Sequence, residues 1–254
     1  MLIDTHCHLD AAEFDADRDR VAAAALAAGV EIMVVPAVAC ANFAAVLRCS
    51  ELYPACRAAL GIHPMYVDRA RPEDLATLRS AVERSRPVAI GEIGLDFFVP
   101  DFDAPRQELY FSEQLKIARD FDLPVLLHIR RAQDPILKQL RRIRVRGGIA
   151  HAFNGSRQQA DEFIRLGFKL GFGGAMTFPR ATRLRKLAAT LPLESIVLET
   201  DAPDIPPEFA ARGRNSPEYL PRIARVLADL RATNLEDVAA ATSANARAVL
   251  GALA

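Results

Sequence analysis

The chain has 254 residues, of which 51% are hydrophobic, and its 32 Lys and Arg residues balance its 32 Asp and Glu residues. This length fits one large α/β domain, and the neutral total gives no basis for binding nucleic acid or membranes through overall charge. The four cysteines form no C-x-x-C pair, which argues against a disulfide framework or a zinc finger and predicts reduced thiols. No basic-then-apolar leader precedes Asp4 and no apolar run approaches a membrane span, so we expect a soluble, cytoplasmic protein.

Short β-like runs alternate with amphipathic helical patterns along the chain. The predicted strands are Leu2–Thr5, Ile32–Val38, Ala58–Ile62, Val88–Glu92, Val125–His128, Gly148–His151, Phe168–Phe172 and Ile196–Glu199. The predicted helices are Arg18–Ala28, Asn42–Tyr53, Glu73–Arg86, Arg106–Phe121, Asp134–Arg144, Arg157–Leu166, Thr182–Thr190, Glu218–Leu230 and Leu235–Leu250. Runs such as IMVVPAV and PVLLH are apolar on both faces, which is typical of strands buried between two layers.

Eight β runs alternating with helices predict a (β/α)8 TIM barrel that spans residues 1–254 as a single domain. A doubly wound open sheet is the alternative. Against it, no G-x-G-x-x-G follows the first strand, and polar residues follow nearly every strand rather than one switch point. The stretch Asp201–Pro217 is rich in Pro, Gly and Arg and predicts a long, functional loop after the eighth strand.

Polar residues of the kinds that bind metals gather at the ends of the predicted strands. The chain has five histidines, each at or just past the C-terminal end of a strand: His6, His8, His63, His128 and His151. The fourth strand adds Glu92 and the eighth leads to Asp201. In a barrel these ends converge on one rim, where active sites form. The set predicts a metal site, because imidazole suits zinc and its neighbours and a carboxylate can bridge two ions.

Strand order suggests how such a site is built. In an extended chain His6 and His8 share one face, so we expect them to hold one ion. We expect His128 and His151, from the fifth and sixth strands, to hold a second ion, with Glu92 bridging the two. H-x-H alone is a weak signal, and each residue singly could be an ordinary strand-end group, but their joint placement favours a metal site.

Two further groups complete the interpretation of this rim. Asp201 lies next to the first strand in a closed barrel, so we expect it to ligate the first ion and to receive a proton from the bridging water. His63, in GIHP, is assigned either to substrate or to a hydrogen bond with a neighbouring loop. Asp96 and Asp204 could be only helix caps.

Six motifs, in order, resemble the TatD-type metal-dependent deoxyribonucleases and hydrolases of the amidohydrolase superfamily. They are DTHCHLD, ALGIHP, GEIGLDF, LPVLLHIRRA, HAFNGS and IVLETDAPDIP, and the resemblance runs from Ile3 to the closing NARAVLG. The arginine pair after the fifth-strand histidine, GFGGAMTFPRAT and ETDAPDIP look closest to the YjjV-like branch. Spaced motifs in a fixed order are far more specific than any one of them.

The resemblance places the family's metal ligands on the residues that strand order already indicates: His6, His8, Glu92, His128, His151 and Asp201. It also implies that Arg130 and Asn154 contact substrate. Three positions depart from the common pattern. Arg131 stands where many members have Asp, HAFNG replaces HCFTG, and Asn215-Ser216-Pro217 replaces an N-E-P triplet.

We therefore expect a hydrolase with two divalent ions, Mg, Mn or Zn, in which a metal-bound hydroxide attacks phosphorus or a carbonyl carbon. The catalytic groups would be Asp201 and Glu92. The resemblance implies a deoxyribonuclease with DNA as substrate. The alternatives are a metal-dependent amidase or esterase, including deacylation of a nucleic-acid-linked ester, and a catalytically idle metal-binding scaffold. The complete ligand set argues against the scaffold, and no membrane or protein partner is implied.

Local charge supports a polyanionic substrate weakly. The loops that carry Arg180 and Arg212 could bring cations to the rim, and we expect Arg212 and Arg214 to contact phosphates away from the reacting bond. The alternative for each arginine is a solvent-facing position. Aromatic residues for base stacking are sparse, with Phe98 and Phe178 among the few candidates near the rim.

Overall fold

The computed structural model describes residues 1–251 and Leu253, and its eight strands form one parallel sheet in chain order. The strands are β1 (Leu2–Asp4), β2 (Val30–Pro36), β3 (Cys56–Leu60), β4 (Ala89–Asp96), β5 (Val125–Arg130), β6 (Gly148–Ala150), β7 (Phe168–Phe172) and β8 (Ile196–Leu198). The first and last strands meet at the rim, where the Thr5 N–H donates to the Leu198 carbonyl at 3.1 Å. This confirms the (β/α)8 barrel over the open doubly wound sheet.

Nine α-helices lie in the described residues. They are α1 (Arg18–Ala27), α2 (Phe43–Leu52), α3 (Pro72–Ser85), α4 (Ala104–Asp120), α5 (Gln133–Arg142), α6 (Arg157–Arg165), α7 (Thr182–Thr190), α8 (Leu220–Leu230) and α9 (Leu235–Leu250). None of them combines the length and the apolar character needed to cross a membrane. The predicted elements are all present. The largest difference is in β4, which continues past Glu92 because its pairing with β5 extends as far as Asp96 and Arg130.

Alternate residues of the strands pack on opposite sides of the sheet. On β5, Val125 and Leu127 belong to the large cluster under the helices, whereas Leu126 belongs to a separate cluster inside the barrel. We call the strand members of this second cluster the inner apolar layer: Ile3, Ile32, Val34, Ala59, Ala89, Leu126, Ile149 and Val197. Helix α9 packs against β1, β6, β7 and β8 and adds apolar side chains to the same cluster, so it closes the lower end of the barrel.

Polar residues follow the inner apolar layer on the same side of the sheet. Two residues beyond Leu126, Ile149 and Val197 come His128, His151 and Glu199. On β3 the corresponding positions are Ala59, Gly61 and His63. A Cβ at Gly61 would lie 2.8 Å from the Gly91 carbonyl carbon, so the barrel is too narrow for a side chain there. At about 3.3 Å per residue, a polar layer therefore lies about 7 Å above the apolar one.

Candidate metal centre

The segment after β1 brings two imidazoles into the barrel mouth. It stays extended, because Cys7 N–H donates to the Val34 carbonyl at 3.0 Å and His8 N–H donates to the Ala202 carbonyl at 2.8 Å. Alternation then buries Cys7 in the core and turns His6 and His8 to the same side. Their Nε2 atoms lie 3.3 Å apart, so both rings present a nitrogen to one point.

Glu92 lies between two pairs of histidines. Its Oε2 is 3.1 Å from His6 Nε2 and 3.6 Å from His8 Nε2. Its Oε1 is 2.9 Å from His128 Nδ1 and 3.4 Å from His63 Nε2. Burial raises the pKa of Glu92, but the surrounding imidazoles outweigh burial and hold that pKa well below its usual range. A carboxylate that turns one oxygen to each pair has the arrangement that a bridging ligand requires.

Asp201 closes the site from the strand-eight side. Its Oδ1 is 3.7 Å from both His6 Nε2 and His8 Nε2, and 3.4 Å from His151 Nε2. Asp201 has φ +60°, a left-handed conformation that Asp tolerates better than most residues. Its N–H donates to the His6 carbonyl at 2.8 Å, which ties this loop to the first strand. The predicted neighbourhood of Asp201 and the first strand is therefore present.

Glu199 belongs to the candidate site, although no sequence motif singled it out. Its Oε1 lies 3.1 Å from His151 Nδ1 and accepts from the Ala152 N–H at 2.6 Å. A Cβ at Gly171 would lie 2.2 Å from Glu199 Oε2, so only glycine fits beside this carboxylate. A carboxylate on the outer ring nitrogen fixes the tautomer and orientation of a ligating histidine. The available signal was ETDAP, in which Glu199 precedes Asp201 by two residues and shares its side of the chain.

Asp96 lies beside an outer ring nitrogen of His128, as Glu199 does beside one of His151. The sequence indicated only a cap, and Asp96 does accept from the Phe98 N–H at 2.9 Å. Its other oxygen, Oδ2, lies 3.0 Å from His128 Nε2. Burial raises the pKa of Asp96, but the hydrogen bonds from His128 and from the Phe98 and Val99 N–H groups together outweigh burial and lower that pKa. Asp96 is therefore both a loop cap and an orienting partner for His128.

The structure brings all the predicted ligands together but groups them differently from strand order. Three sets have their candidate ligand atoms within 4.8 Å of one another: His6, Glu92 and His151; His6, His8 and Asp201; and His63, Glu92 and His128. The His151 ring stacks on His6 with centroids 3.6 Å apart, whereas His128 has His63 as its neighbour. His63 thus lies against Glu92 rather than only at the substrate side of the cavity.

The donor set around His6 fits a divalent cation. His6 Nε2 lies 3.1 Å from Glu92 Oε2, 3.3 Å from His8 Nε2 and 3.7 Å from Asp201 Oδ1. His8 Nε2 lies 3.6 Å from the same Glu92 oxygen and 3.7 Å from the same Asp201 oxygen. Four ligands about 2.1 Å from a tetrahedral ion lie about 3.4 Å from one another. Neutral imidazoles with carboxylates are also the ligand chemistry that zinc and similar ions accept.

A cavity of about 1360 Å³ opens above these residues, and its two flanks carry opposite charge. The first flank has Arg130, Arg131 and Arg183, which follow β5 and β7. The second flank has the carboxylates Asp10, Glu13 and Asp204. A polyanion entering this cavity is therefore attracted to one side of it.

Phe98 stands at the mouth of the cavity with 44% of its surface exposed. The guanidinium carbons of Arg130 and Arg131 lie 3.8 and 4.5 Å from its ring centroid. The ring thus holds the two arginines close together, as expected of cation–π contacts. Asn154 also lines the cavity and accepts from Arg183 Nη2 at 2.8 Å through its side-chain oxygen.

The two arginines of the long loop lie outside this cavity. Arg214 donates to Asp17 at 2.7 Å, and its guanidinium carbon lies 4.4 Å from the Phe14 ring centroid. The Arg214 hydrogen bond lowers the pKa of Asp17 to about 2. Arg212 lines a second, smaller cavity together with Arg180. Substrate contact by Arg212 and Arg214 stays a prediction, and Arg214 has a structural partner.

Comparison with known proteins identifies the family of this chain. Residues 3–251 match the TatD related DNase family. The chain is 44% identical to the uncharacterized metal-dependent hydrolase YjjV of Escherichia coli K12, over 94% of this chain and 93% of that protein. The crystal structure of YjjV matches with a TM-score of 0.94 and 43% identity, covering 98% of this chain and 97% of that one. A protein named 3′-5′ ssDNA/RNA exonuclease TatD, from Klebsiella pneumoniae, is 34% identical over 98% of both chains. The chain belongs to the TatD-related DNase family of metal-dependent hydrolases.

Proposed function

We propose that this chain is a two-metal nuclease that hydrolyses phosphodiester bonds of single-stranded nucleic acid from a 3′ end. The observation that carries the proposal is Glu92, whose two oxygens face different histidine pairs at the base of a cavity with one arginine-lined flank. Paired ions suit phosphoryl transfer, because they clamp both the attacking and the leaving oxygen. The relatives named 3′-5′ ssDNA/RNA exonuclease support this substrate class.

Carboxylates beside the outer ring nitrogens indicate which histidines are ligands. His128 Nε2 lies 3.0 Å from Asp96 Oδ2, and His151 Nδ1 lies 3.1 Å from Glu199 Oε1. A proton on each of these nitrogens leaves the opposite nitrogens, which face Glu92 and Asp201, to bind an ion. His63 differs, because its Nδ1 accepts from the Met65 N–H at 3.2 Å. That bond leaves the proton of His63 on Nε2, which faces Glu92.

The assignment of roles follows from these protons. The residues that would hold the ions are His6, His8, Glu92, His128, His151 and Asp201, and Glu92 would serve both ions. His63 Nε2 lies 3.4 Å from Glu92 Oε1 and carries its proton toward that carboxylate, so His63 is not a ligand. Divalent ions bound here would lower the pKa of a coordinated water and neutralise charge on the phosphoryl oxygens.

The remaining chemistry belongs to groups that face the cavity. Asp201 takes the proton of the attacking water and passes it to the leaving oxygen, because its carboxylate lines both the ligand cluster and the cavity. Arg130 and Arg131 hold the phosphate next to the reacting bond through charge-assisted hydrogen bonds. Glu199 and Asp96 orient the rings of His151 and His128, respectively, toward the ligand cluster.

The test starts from protein stripped with a chelator and reloaded with Mg²⁺, Mn²⁺ or Zn²⁺. We expect 3′-labelled single-stranded DNA to release labelled mononucleotide at once, and 5′-labelled DNA to give a ladder of shortened products. Cleavage in the middle of the strand would contradict the 3′ polarity. If none of the metals supported cleavage while a panel of acyl esters was hydrolysed, the protein would be an acyl hydrolase instead.

Metal content distinguishes a histidine that binds an ion, His151, from one that does not, His63. We expect His151→Ala to lose bound metal and His63→Ala to keep the full amount, because only His151 offers a free nitrogen lone pair to an ion. Inductively coupled plasma mass spectrometry of the reloaded variants measures the ratio of metal to protein. Equal loss in both variants would make His63 a ligand.

A further inference from the structure

A second cavity, of about 740 Å³, lies beside the central one at the same end of the barrel. The loop after β7 contributes Phe178 and Arg180 to it. The loop after β8 contributes Phe209 and Arg212, and Tyr219 completes the wall. None of these five residues lines the central cavity.

The two cavities are neighbours because the same two loops line both. After β7, residues 173–175 of the loop and residues 183–184 at the start of α7 line the central cavity, and loop residues 178–180 between them line the second. In the loop after β8, Ile205 lines the first and Glu208 the second. The Glu208 N–H donates to Thr177 Oγ1 at 2.8 Å, which fixes the two loops against each other. A strand that leaves the central cavity across these loops meets the second cavity next.

The aromatic rings in the second cavity are held by their neighbours. Phe209 has Tyr219 edge-on at 5.7 Å between centroids and the Arg222 guanidinium 3.6 Å from its ring centroid. The Arg180 guanidinium lies 5.5 Å from the Phe178 centroid. Rings fixed in this way lose little entropy when a flat ligand stacks on them, and base–aromatic stacking needs no particular sequence.

The charge of the second cavity suits a phosphate. Arg180 and Arg212 are exposed, and neither has a carboxylate oxygen within 4.0 Å among the residues that the structure describes. One carboxylate, Glu208, also lines the cavity and is exposed. Arg180 lies near the arginine flank of the central cavity in the chain, since Arg183 follows it by three residues.

We propose that the second cavity binds a nucleotide of the same strand, several positions from the reacting bond. Its base stacks within the Phe178, Phe209 and Tyr219 wall, and Arg180 and Arg212 contact the adjoining phosphates. The inference rests on the proposed nuclease function, because it assumes that the strand in the central cavity is longer than the reacting dinucleotide. It predicts that binding strengthens with strand length until the second cavity is filled.

The experiment measures binding, so it does not need turnover. Fluorescence anisotropy with labelled thymidine dinucleotide and with an oligothymidylate of about twelve nucleotides, within the range that nucleic-acid-binding grooves span, is recorded for four proteins. These are the wild type, Arg180→Ala/Arg212→Ala, Phe178→Leu, and the control Arg142→Ala/Arg144→Ala. The control removes two exposed arginines that precede β6, at the opposite end of the barrel.

We expect the Arg180/Arg212 variant to bind the long oligonucleotide about tenfold more weakly than the wild type, with a salt slope smaller by about 1.4, because each phosphate contact of a single strand contributes about 0.7. Phe178→Leu keeps an apolar side chain but removes the aromatic face for stacking, so binding of the long ligand should be about fivefold weaker. Binding of the dinucleotide should be unchanged in both, and the control should match the wild type.

Three results would overturn the subsite. They are equal binding of the long ligand by wild type and variant, an equal loss on dinucleotide and long ligand, and an equal loss in the control. Failure of the nuclease proposal has a different signature, namely no cleavage by the reloaded wild type with any of the three metals. The wild type could fail to cleave and still bind the long ligand more tightly than the Arg180/Arg212 variant does. The second cavity would then remain a nucleic-acid site in a protein of another activity.

Discussion

The barrel interior contains two successive layers with opposite chemistry on the same strands. The inner apolar layer is filled with aliphatic side chains, and the polar layer begins two residues further along. The changes are from Leu126 to His128, from Ile149 to His151 and from Val197 to Glu199. Because the backbone and the side of the sheet are the same, the difference comes from the side chains alone. One layer stabilises the barrel and the next carries the site, a separation that barrels generally show between their ends.

The polar layer is less favourable to bury than the apolar one. Buried charges are costly unless they are paired, and here imidazoles and carboxylates face one another. Some polar atoms remain buried without a hydrogen bond, among them His6 Nδ1 and Glu199 Oε2. Substitutions in this layer should therefore cost activity and metal binding more than stability, whereas those in the inner apolar layer should do the reverse.

The largest effect is expected for Glu92→Gln. The substitution keeps the shape of the side chain but removes the charge that faces both histidine pairs, so activity should fall by far more than the roughly 100-fold that an outer partner costs. The measurements are kcat/KM on 3′-labelled single-stranded DNA and bound metal per chain. Glu236→Gln, on the exposed side of α9, is the control and should leave both unchanged. Turnover close to wild type in Glu92→Gln would refute the two-metal site.

Leu126→Ala tests the opposite layer. Removing a buried leucine leaves a cavity and should lower the free energy of unfolding by about 2–5 kcal/mol. The kcat of the folded fraction should stay close to wild type, because Leu126 lies one layer below the ligands. Urea titration and Tm measure the stability change, and the matched control is Leu109→Ala, whose side chain is 55% exposed. A loss of metal without a loss of stability would show that the layers are not separate.

Glu199→Gln should have an intermediate effect. The amide can still accept from the Ala152 N–H but removes the negative charge 3.1 Å from His151 Nδ1, so metal affinity or activity should fall about 10- to 100-fold. Titration of stripped protein with Zn²⁺ gives the affinity. Glu194→Gln, an exposed glutamate just before β8, controls for the change of charge. A destabilised protein with normal metal affinity would place Glu199 in the scaffold rather than the site.

The smallest effect is expected at the mouth of the cavity. Phe98→Leu removes the ring that Arg130 and Arg131 share, and exposed cation–π contacts contribute about 0.5–1 kcal/mol, which corresponds to a rise in KM of about two- to fivefold. The kcat should be unchanged. Phe121→Leu removes a similar contact, with Arg79 at 5.2 Å on the helix layer, and should not change KM. A change in kcat would mean that Phe98 acts on the reacting groups themselves.

The set of histidines around the rim could be predicted from sequence because their positions follow two local rules. Strands alternate their side chains with a period of two, and parallel strands of a barrel end at one rim. The role of Glu199 could not be predicted in this way. It depends on the Ala152 amide and on the missing side chain of Gly171, which belong to other strands. Asp201 already supplied the carboxylate expected after the eighth strand, so the sequence offered no reason to assign a second carboxylate there.

The arginines of the long loop show the same limit. Arg212 and Arg214 are two residues apart and look equivalent in the sequence. Arg214 is held by Asp17 near the start of α1, whereas Arg212 has no carboxylate partner among the described residues and lines the second cavity. Composition gives the number of cations in a loop, but only the three-dimensional neighbours decide which of them can reach a ligand.

Helix α9 closes the lower end of a barrel whose strands all precede it in the chain. Its Val249 and Leu250 pack into the same cluster as Ile3 and Val197, from the first and last strands. During synthesis, all eight strands leave the ribosome before this helix has been made. Until then, the apolar interior lacks its cover, and a closed sheet would have water at its base. The barrel therefore reaches its final form only after translation has passed residue 250, and a nascent chain needs protection from aggregation until that point.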